Sequence, residues 1–178
     1  MNRITIMLAC TAVLLCGCTK QSLENIYSNQ EAKIDSFISG LLDSNPEYSV
    51  VHNNGSNRVI MSQGTGPALK EGGRISFYYA GYTFNGNLNA SNIFATNNQA
   101  FAEENGWSVS DPDYEVKTAV LAEGELLEGL LYGLEGVREG EVCLILFSGK
   151  YGYGKKHIGT IPANSALAFQ IWVERVSE

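Results

Sequence analysis

The chain has 178 residues, 44% of them apolar and 17% charged, a globular composition long enough to bury its own core and unlike that of a disordered chain. A net charge of -7 with no basic stripe excludes nucleic acid as a partner, because phosphate contacts need clustered Lys and Arg. The acidity by itself names no partner, since a solvated negative surface explains it.

Residues 1–18 read as a targeting segment. Arg3 supplies a short positive start, and Ile4 to Leu15 form an apolar stretch shorter than the ~20 residues that span a bilayer. The stretch ends in Leu15-Cys16-Gly17-Cys18, which resembles a bacterial lipobox. That resemblance implies cleavage before Cys18 and lipidation of its thiol, hence a membrane anchor rather than a span; an ordinary signal peptide cut nearby is the plain alternative. Cys10 and Cys16 then leave with the signal. Cys143 remains as a lone thiol in the apolar run Val142 to Phe147, so no internal disulfide is expected and the residue reads as a buried small hydrophobe.

Residues 19–27 are polar and read as a tether. The next segment, 28–47, opens with Ser28-x-x-Glu31, a capping-box pattern. Ile34, Phe37, Ile38, Leu41 and Leu42 then place one apolar face on a helix over 29–43, which Asn45-Pro46 stops. That face either packs on the domain or pairs with a second copy.

The domain proper is expected over 48–178. Tyr48 to His52 and Arg58 to Ser62 read as strands joined through Asn54-Gly55. Arg74 to Thr83 alternates, with Ile75, Phe77 and Tyr79 on one face. Residues 89–116 form a long, asparagine-rich insertion with weak patterning and four aromatics, Phe94, Phe101, Trp107 and Tyr114. Lys117 to Ala122 reads as a strand, Leu126 to Gly133 as a short helix, and Glu141 to Phe147 as a buried strand. Tyr151 to Ser165 is a loop. Ala166 to Val176 is a last strand with Leu167, Phe169, Ile171 and Val173 alternating, and Trp172 on the opposite side. The sum is an α+β fold, a mostly antiparallel sheet with one short helix against it.

No metal-ligand cluster, phosphate-cradling loop or convincing nucleophile appears, so neither metal nor cofactor is expected. His52 reads as a plain strand residue, and Glu123, Glu125 and Glu128 read as a solvated helix-entry face that suits the helix dipole. Tyr151-Gly152-Tyr153-Gly154, Ile161-Pro162 and Leu167-Ala168-Phe169 instead place aromatics and aliphatics around a glycine-rich loop, which makes an apolar cradle.

From about Val59 to Val176 the chain resembles the FKBP-type peptidyl-prolyl isomerases. The resemblance is carried by Glu125 to Leu130, Gly136 to Glu141, Tyr151 to Gly154, Ile161-Pro162 and Leu167 to Phe169, in family order and spacing. It implies a twisted antiparallel sheet wrapped around a short helix, with the site between them. Tyr79 matches the pocket tyrosine, and Tyr153 the tyrosine whose hydroxyl reaches the ligand carbonyl. Phe169 matches the aromatic of the last strand. Leu126 and Leu127 match the aliphatics at the helix start, and Leu127 also offers a backbone N–H. His157 and Ile161 match loop positions beside the proline ring. Leu130 stands where the best-studied members have tryptophan, and Leu88-Asn89 aligns with a phenylalanine–aspartate pair, so a carboxylate is missing. Lys117, Ala119 and Val120 supply no aromatic before the helix, which leaves Phe94 or Trp107 of the insertion to fill that wall. Tyr79 and Phe169 as ordinary core aromatics is the plain alternative.

Such a pocket suits prolyl isomerisation. The barrier of ~18–20 kcal/mol comes from amide resonance, which the twisted transition state has lost. An apolar site favours that less polar form, so catalysis is differential binding and needs no base, metal or cofactor. The resemblance therefore implies a rotamase that acts on proline-containing segments of exported proteins and is open to the family's macrolide inhibitors. With the lipobox, it implies a lipoprotein of a Gram-negative envelope, on the outer membrane and facing the periplasm or the surface. A non-catalytic peptide- or protein-binding module with the same fold is the other reading.

Overall fold

The computed structural model describes residues 3–177, and the side chains of residues 20–177; the Cys18 thiol, where the sequence places the lipid, lies outside the described residues. Helix α1 (Arg3–Ser44) leads into strands β1 (Ser49–Asn53) and β2 (Ser56–Ser62). Strand β3 (Arg74–Phe84) is followed by β4 (Ile93–Thr96), helix α2 (Gln99–Glu104) and strand β5 (Lys117–Val120). Helix α3 (Glu128–Leu134), strand β6 (Val142–Phe147) and strand β7 (Ala166–Ser177) complete the chain. The seven strands form one antiparallel sheet in the order β1-β2-β6-β7-β3-β4, with β5 pairing the start of β3. This is the α+β, FKBP-like architecture expected.

Alternation explains why the sheet is covered on both faces. On β6, Cys143, Ile145 and Phe147 join an inner cluster with α3, while Leu144 and Leu146 join an outer one. On β7, Leu167, Phe169, Ile171 and Val173 face inward, and Ala166 and Ala168 outward. Helix α3 lies directly on the sheet because it carries glycine where it touches: a Cβ at Gly129 would stand 2.2 Å from the Phe147 ring, and one at Gly133 2.3 Å from Ile145. Burial pushes the Cys143 thiol up, so it stays an unionised packing atom, as expected. Beneath the C-terminal end of α3, Arg58 and Glu141 form a buried ion pair at 3.3 Å. The Asn54-Gly55 turn takes positive φ at both residues (47° and 83°), which closes the β1–β2 hairpin.

Four expectations are corrected. The polar segment 19–27 is helical, continuous with the rest of α1, because nothing from Thr19 to Gln30 is Gly or Pro and helix propagation there is unopposed. Ser28 is consequently mid-helix and caps nothing. Glu31 instead accepts a hydrogen bond from Ser148 Oγ at 3.1 Å. The apolar face of α1 packs on the domain, with Ile34 and Ile38 buried in the outer cluster. The insertion 89–116 is not one long loop: it holds β4, paired to β3, and α2, whose Phe101 rests on Trp172 with ring centroids 5.5 Å apart. The short helix starts at Glu128 rather than Leu126, with Leu127 as its N-cap.

Candidate active site

A cavity of about 440 Å³ opens between α3, the edge of the sheet at β3 and β4, and the loop before β7. Seven residues singled out in the sequence line it: Tyr79 from β3, Leu126 and Leu127 before α3, Leu130 on α3, Tyr153 and Ile161 from the loop, and Phe169 from β7. Phe169, 5% exposed, is the hub. Its ring centroid lies 6.2 Å from Tyr79, 5.7 Å from Phe94 in edge contact, and 5.9 Å from Phe147 in a stack. Leu130, on α3, is part of the apolar lining.

Tyr79 is held from behind by the insertion. Asn97, buried, accepts from the Tyr79 N–H through Oδ1 at 2.7 Å and donates through Nδ2 to Glu115 O at 2.8 Å. Thr96 Oγ1 donates to Tyr79 O at 2.6 Å. Burial raises the Tyr79 hydroxyl above its ordinary value, against the opposing pull of Lys117, so it stays a protonated donor. The Tyr153 loop is closed on itself: Gly154 N donates to Gly149 O at 3.1 Å, and Asn164 N to Gly154 O at 2.6 Å.

Three expected residues stay away from the cavity. Leu88 packs into the outer cluster, and Asn89 is exposed, donating to Asn87 Oδ1 at 2.8 Å. The strand that returns beside β3 begins only at Ile93, so Phe94 and Ala95 take the wall positions expected for Leu88-Asn89. The wall there is thus made by an aromatic ring and a methyl group. His157 is exposed, because the reciprocal Ile158–Ile161 hydrogen bonds (3.0 and 2.8 Å) turn Ile158 into the cavity beside it. Trp107 packs in the outer cluster, so of the two insertion aromatics Phe94 is the one that fills the wall. Phe77, Ala95, Ile158 and Thr160 also line the cavity without having been singled out for it. Phe77 was legible as an inward residue two positions before Tyr79; the other three carry no sequence signal.

Glu125 supplies the one formally charged side chain in the lining. Among the described residues no three His, Cys, Asp or Glu side chains gather to hold a metal. The arrangement can enclose an apolar ring among aliphatic and aromatic side chains, with two tyrosines in the lining. Phe94 reaches this position only because residue 81 is glycine: a Cβ there would stand 2.5 Å from Phe94 Cζ and 3.1 Å from Phe169 Cε1. Gly81→Ala is expected to cost about 1–3 kcal/mol by overpacking, read by urea denaturation. Unchanged stability would mean that Phe94 is not packed against residue 81.

Comparison with known proteins agrees with this geometry. The family described as FKBP-type peptidyl-prolyl cis-trans isomerase matches residues 66–174. The chain is 32% identical over 126 residues to the peptidyl-prolyl cis-trans isomerase FKBP12 of Vicia faba, covering 68% of this chain and 97% of that protein. It is 26% identical over 123 residues to FK506-binding protein 1 of Aspergillus oryzae, covering 69% and 99%. In fold it resembles FkpA from Escherichia coli, at a TM-score of 0.58 and 19% identity, over 99% of this chain and 74% of that one. A peptidyl-prolyl cis-trans isomerase from Pseudomonas syringae pv. tomato matches at a TM-score of 0.55 and 20% identity, over 85% and 95%. With the cavity walls, the sheet order and the matched segment in agreement, the chain belongs to the FKBP-type peptidyl-prolyl cis-trans isomerase family.

Proposed function

We propose that this protein is an active prolyl isomerase that assists the folding of exported proteins, held at the cell envelope by a lipid on Cys18. The observation that carries the catalytic part is the open apolar cavity on which Tyr79, Tyr153 and Phe169 converge. The insertion supports the reading by where it goes: it lends Phe94 and Ala95 to the wall, while Phe101 and Trp107 pack on the far side of the sheet, leaving the cavity mouth open. Ala95 and Leu130 preserve the apolar character that twisted-amide binding requires. The envelope part rests on Leu15-Cys16-Gly17-Cys18; no helix among the described residues is long and apolar enough to cross a membrane. An outer-membrane position is part of the proposal. The ligands are proline-containing segments and the macrolides that bind such pockets.

A protease-coupled assay on a short proline peptide tests the activity. Wild-type protein is expected to accelerate cis-to-trans conversion, and Tyr153→Phe to lower kcat/KM about tenfold, the worth of one hydrogen bond that holds the bound peptide in the orientation from which it twists. A wild-type rate equal to the spontaneous one would leave a binding module. Labelling with radioactive palmitate is expected to mark the wild-type chain and not Cys18→Ser; equal labelling of both would remove the anchor.

A further inference from the structure

The segment that matches the family begins at residue 66, yet α1, which ends before it, reaches the loop that carries Tyr153. Gln30 uses both ends of its amide there. Its Nε2 donates to Asn164 O at 2.7 Å, and its Oε1 accepts from Gly149 N at 2.9 Å. One side chain thus bridges the two ends of the loop. Tyr27 Oη donates to Asn164 Oδ1 at 2.9 Å, and Glu31 receives Ser148 Oγ at 3.1 Å. Asn164 holds a left-handed backbone (φ 61°), the conformation that aims its N–H at Gly154 O, 2.6 Å away and next to Tyr153. Gly149 is bound as closely on the other side: its N–H goes to Gln30, its carbonyl receives Gly154 N, and a Cβ on it would meet Asn164 O at 2.4 Å.

We propose that Gln30 and Tyr27 are positioning residues for the isomerase site, acting through Asn164 and Gly149 to fix the Tyr153 hydroxyl at the cavity margin. The proposal rests on the reading of Tyr153 as the donor to the ligand carbonyl. A donor on an untethered loop loses orientation before each turnover; one fixed at both ends of its loop does not. The helix that connects the domain to its N-terminal segment is by this reading also part of the frame of the site.

The test uses the full chain, with Gln30→Ala, the double variant Tyr27→Phe/Gln30→Ala, and Asn29→Ala as a control on the exposed face of α1. Two quantities are read: kcat/KM on the proline peptide, and hydrogen exchange at the amides of Gly154 and Asn164, whose acceptors lie within the loop rather than on α1. The proposal expects kcat/KM to fall about fivefold in Gln30→Ala, which loses two hydrogen bonds to the loop, and further in the double variant, which loses three. It also expects the two amides to exchange faster while those of β6 and β7 hold, with Asn29→Ala unchanged throughout. Unaltered exchange at Gly154 and Asn164 overturns it. So does exchange that rises equally through β6 and β7, which would make α1 a general stabiliser. A silent wild-type enzyme would overturn the proposed activity instead, and the exchange measurement alone would then decide the positioning.

Discussion

Phe169→Ala is expected to lose at least about 3 kcal/mol of stability and more than tenfold in kcat/KM. The stability figure follows from removing a buried aromatic whose neighbours cannot collapse into the space. Phe169 touches Tyr79, Phe94 and Phe147, each from a different element, so the void would be walled by three strands at fixed spacing. Each aromatic contact adds about 0.5–1.5 kcal/mol beyond area burial. The loss is a large share of the roughly 5–15 kcal/mol that holds a domain together. Activity falls for a separate reason: Phe169 is both core and cavity wall, and its removal admits water beside the twisting amide. Phe169→Leu separates the two, keeping most of the volume while losing the flat ring. It is expected to retain most of the stability and to show reduced turnover. Urea melts and the protease-coupled assay read both, and a Phe169→Ala protein with wild-type kcat/KM would place the chemistry elsewhere.

The second large effect concerns a pair remote from the cavity. Arg58 Nη1 and Glu141 Oε1 approach to 3.3 Å without hydrogen-bond geometry, and both are buried. Burial raises the Glu141 carboxyl above its ordinary value, with Arg58 and the Arg138 N–H opposing. Arg58→Met removes the largest of those attractions. It is expected to cost about 3–5 kcal/mol at neutral pH by leaving a buried carboxylate unpaired. The sign of the pH dependence follows from linkage. A carboxyl raised in the folded state binds its proton more tightly there than in the unfolded chain. The penalty is therefore small below the unfolded value of about 4.3 and grows as pH rises above it. Arg58→Met/Glu141→Leu is expected to recover most or all of the loss, because no charge then needs solvation. A single variant with wild-type stability at pH 7 would show that the pair is solvated in solution.

What could be read in the sequence follows from how local each signal is. The alternation on β7, the apolar run of β6 and the Asn-Gly hairpin are properties of consecutive residues, and each appears where expected. Seven cavity residues came through because they sit in blocks with fixed internal spacing, such as Tyr151 to Gly154 and Leu126 to Leu130. The misses are relations between distant parts. Strand β4 is four residues in an asparagine-rich stretch, and only pairing with β3 makes it a strand. Leu88 is apolar and follows a turn, so nothing local distinguishes it from Phe94; the register with Gly81 does. His157 faces out because of a bridge between Ile158 and Ile161 that no periodicity announces. The capping-box pattern at Ser28 failed for a related reason, since helix start signals compete with uninterrupted helix upstream.

The strand order has a consequence for how the protein is made. Strand β7, the last to leave the ribosome, sits at the centre of the sheet between β6 and β3. Until Ala166 to Ser177 has been synthesised, the chain holds two separate ladders, β1-β2-β6 and β3 with its two partners, that share no strand hydrogen bonds. Helix α3, seven residues with two glycines, is too short to persist without β2 and β6 beneath it, and the Phe169 wall of the cavity comes only with β7. The cavity is thus completed only when β7 docks between β6 and β3, and a polypeptide stopped before Ala166 carries nearly all of the cavity wall and none of the cavity.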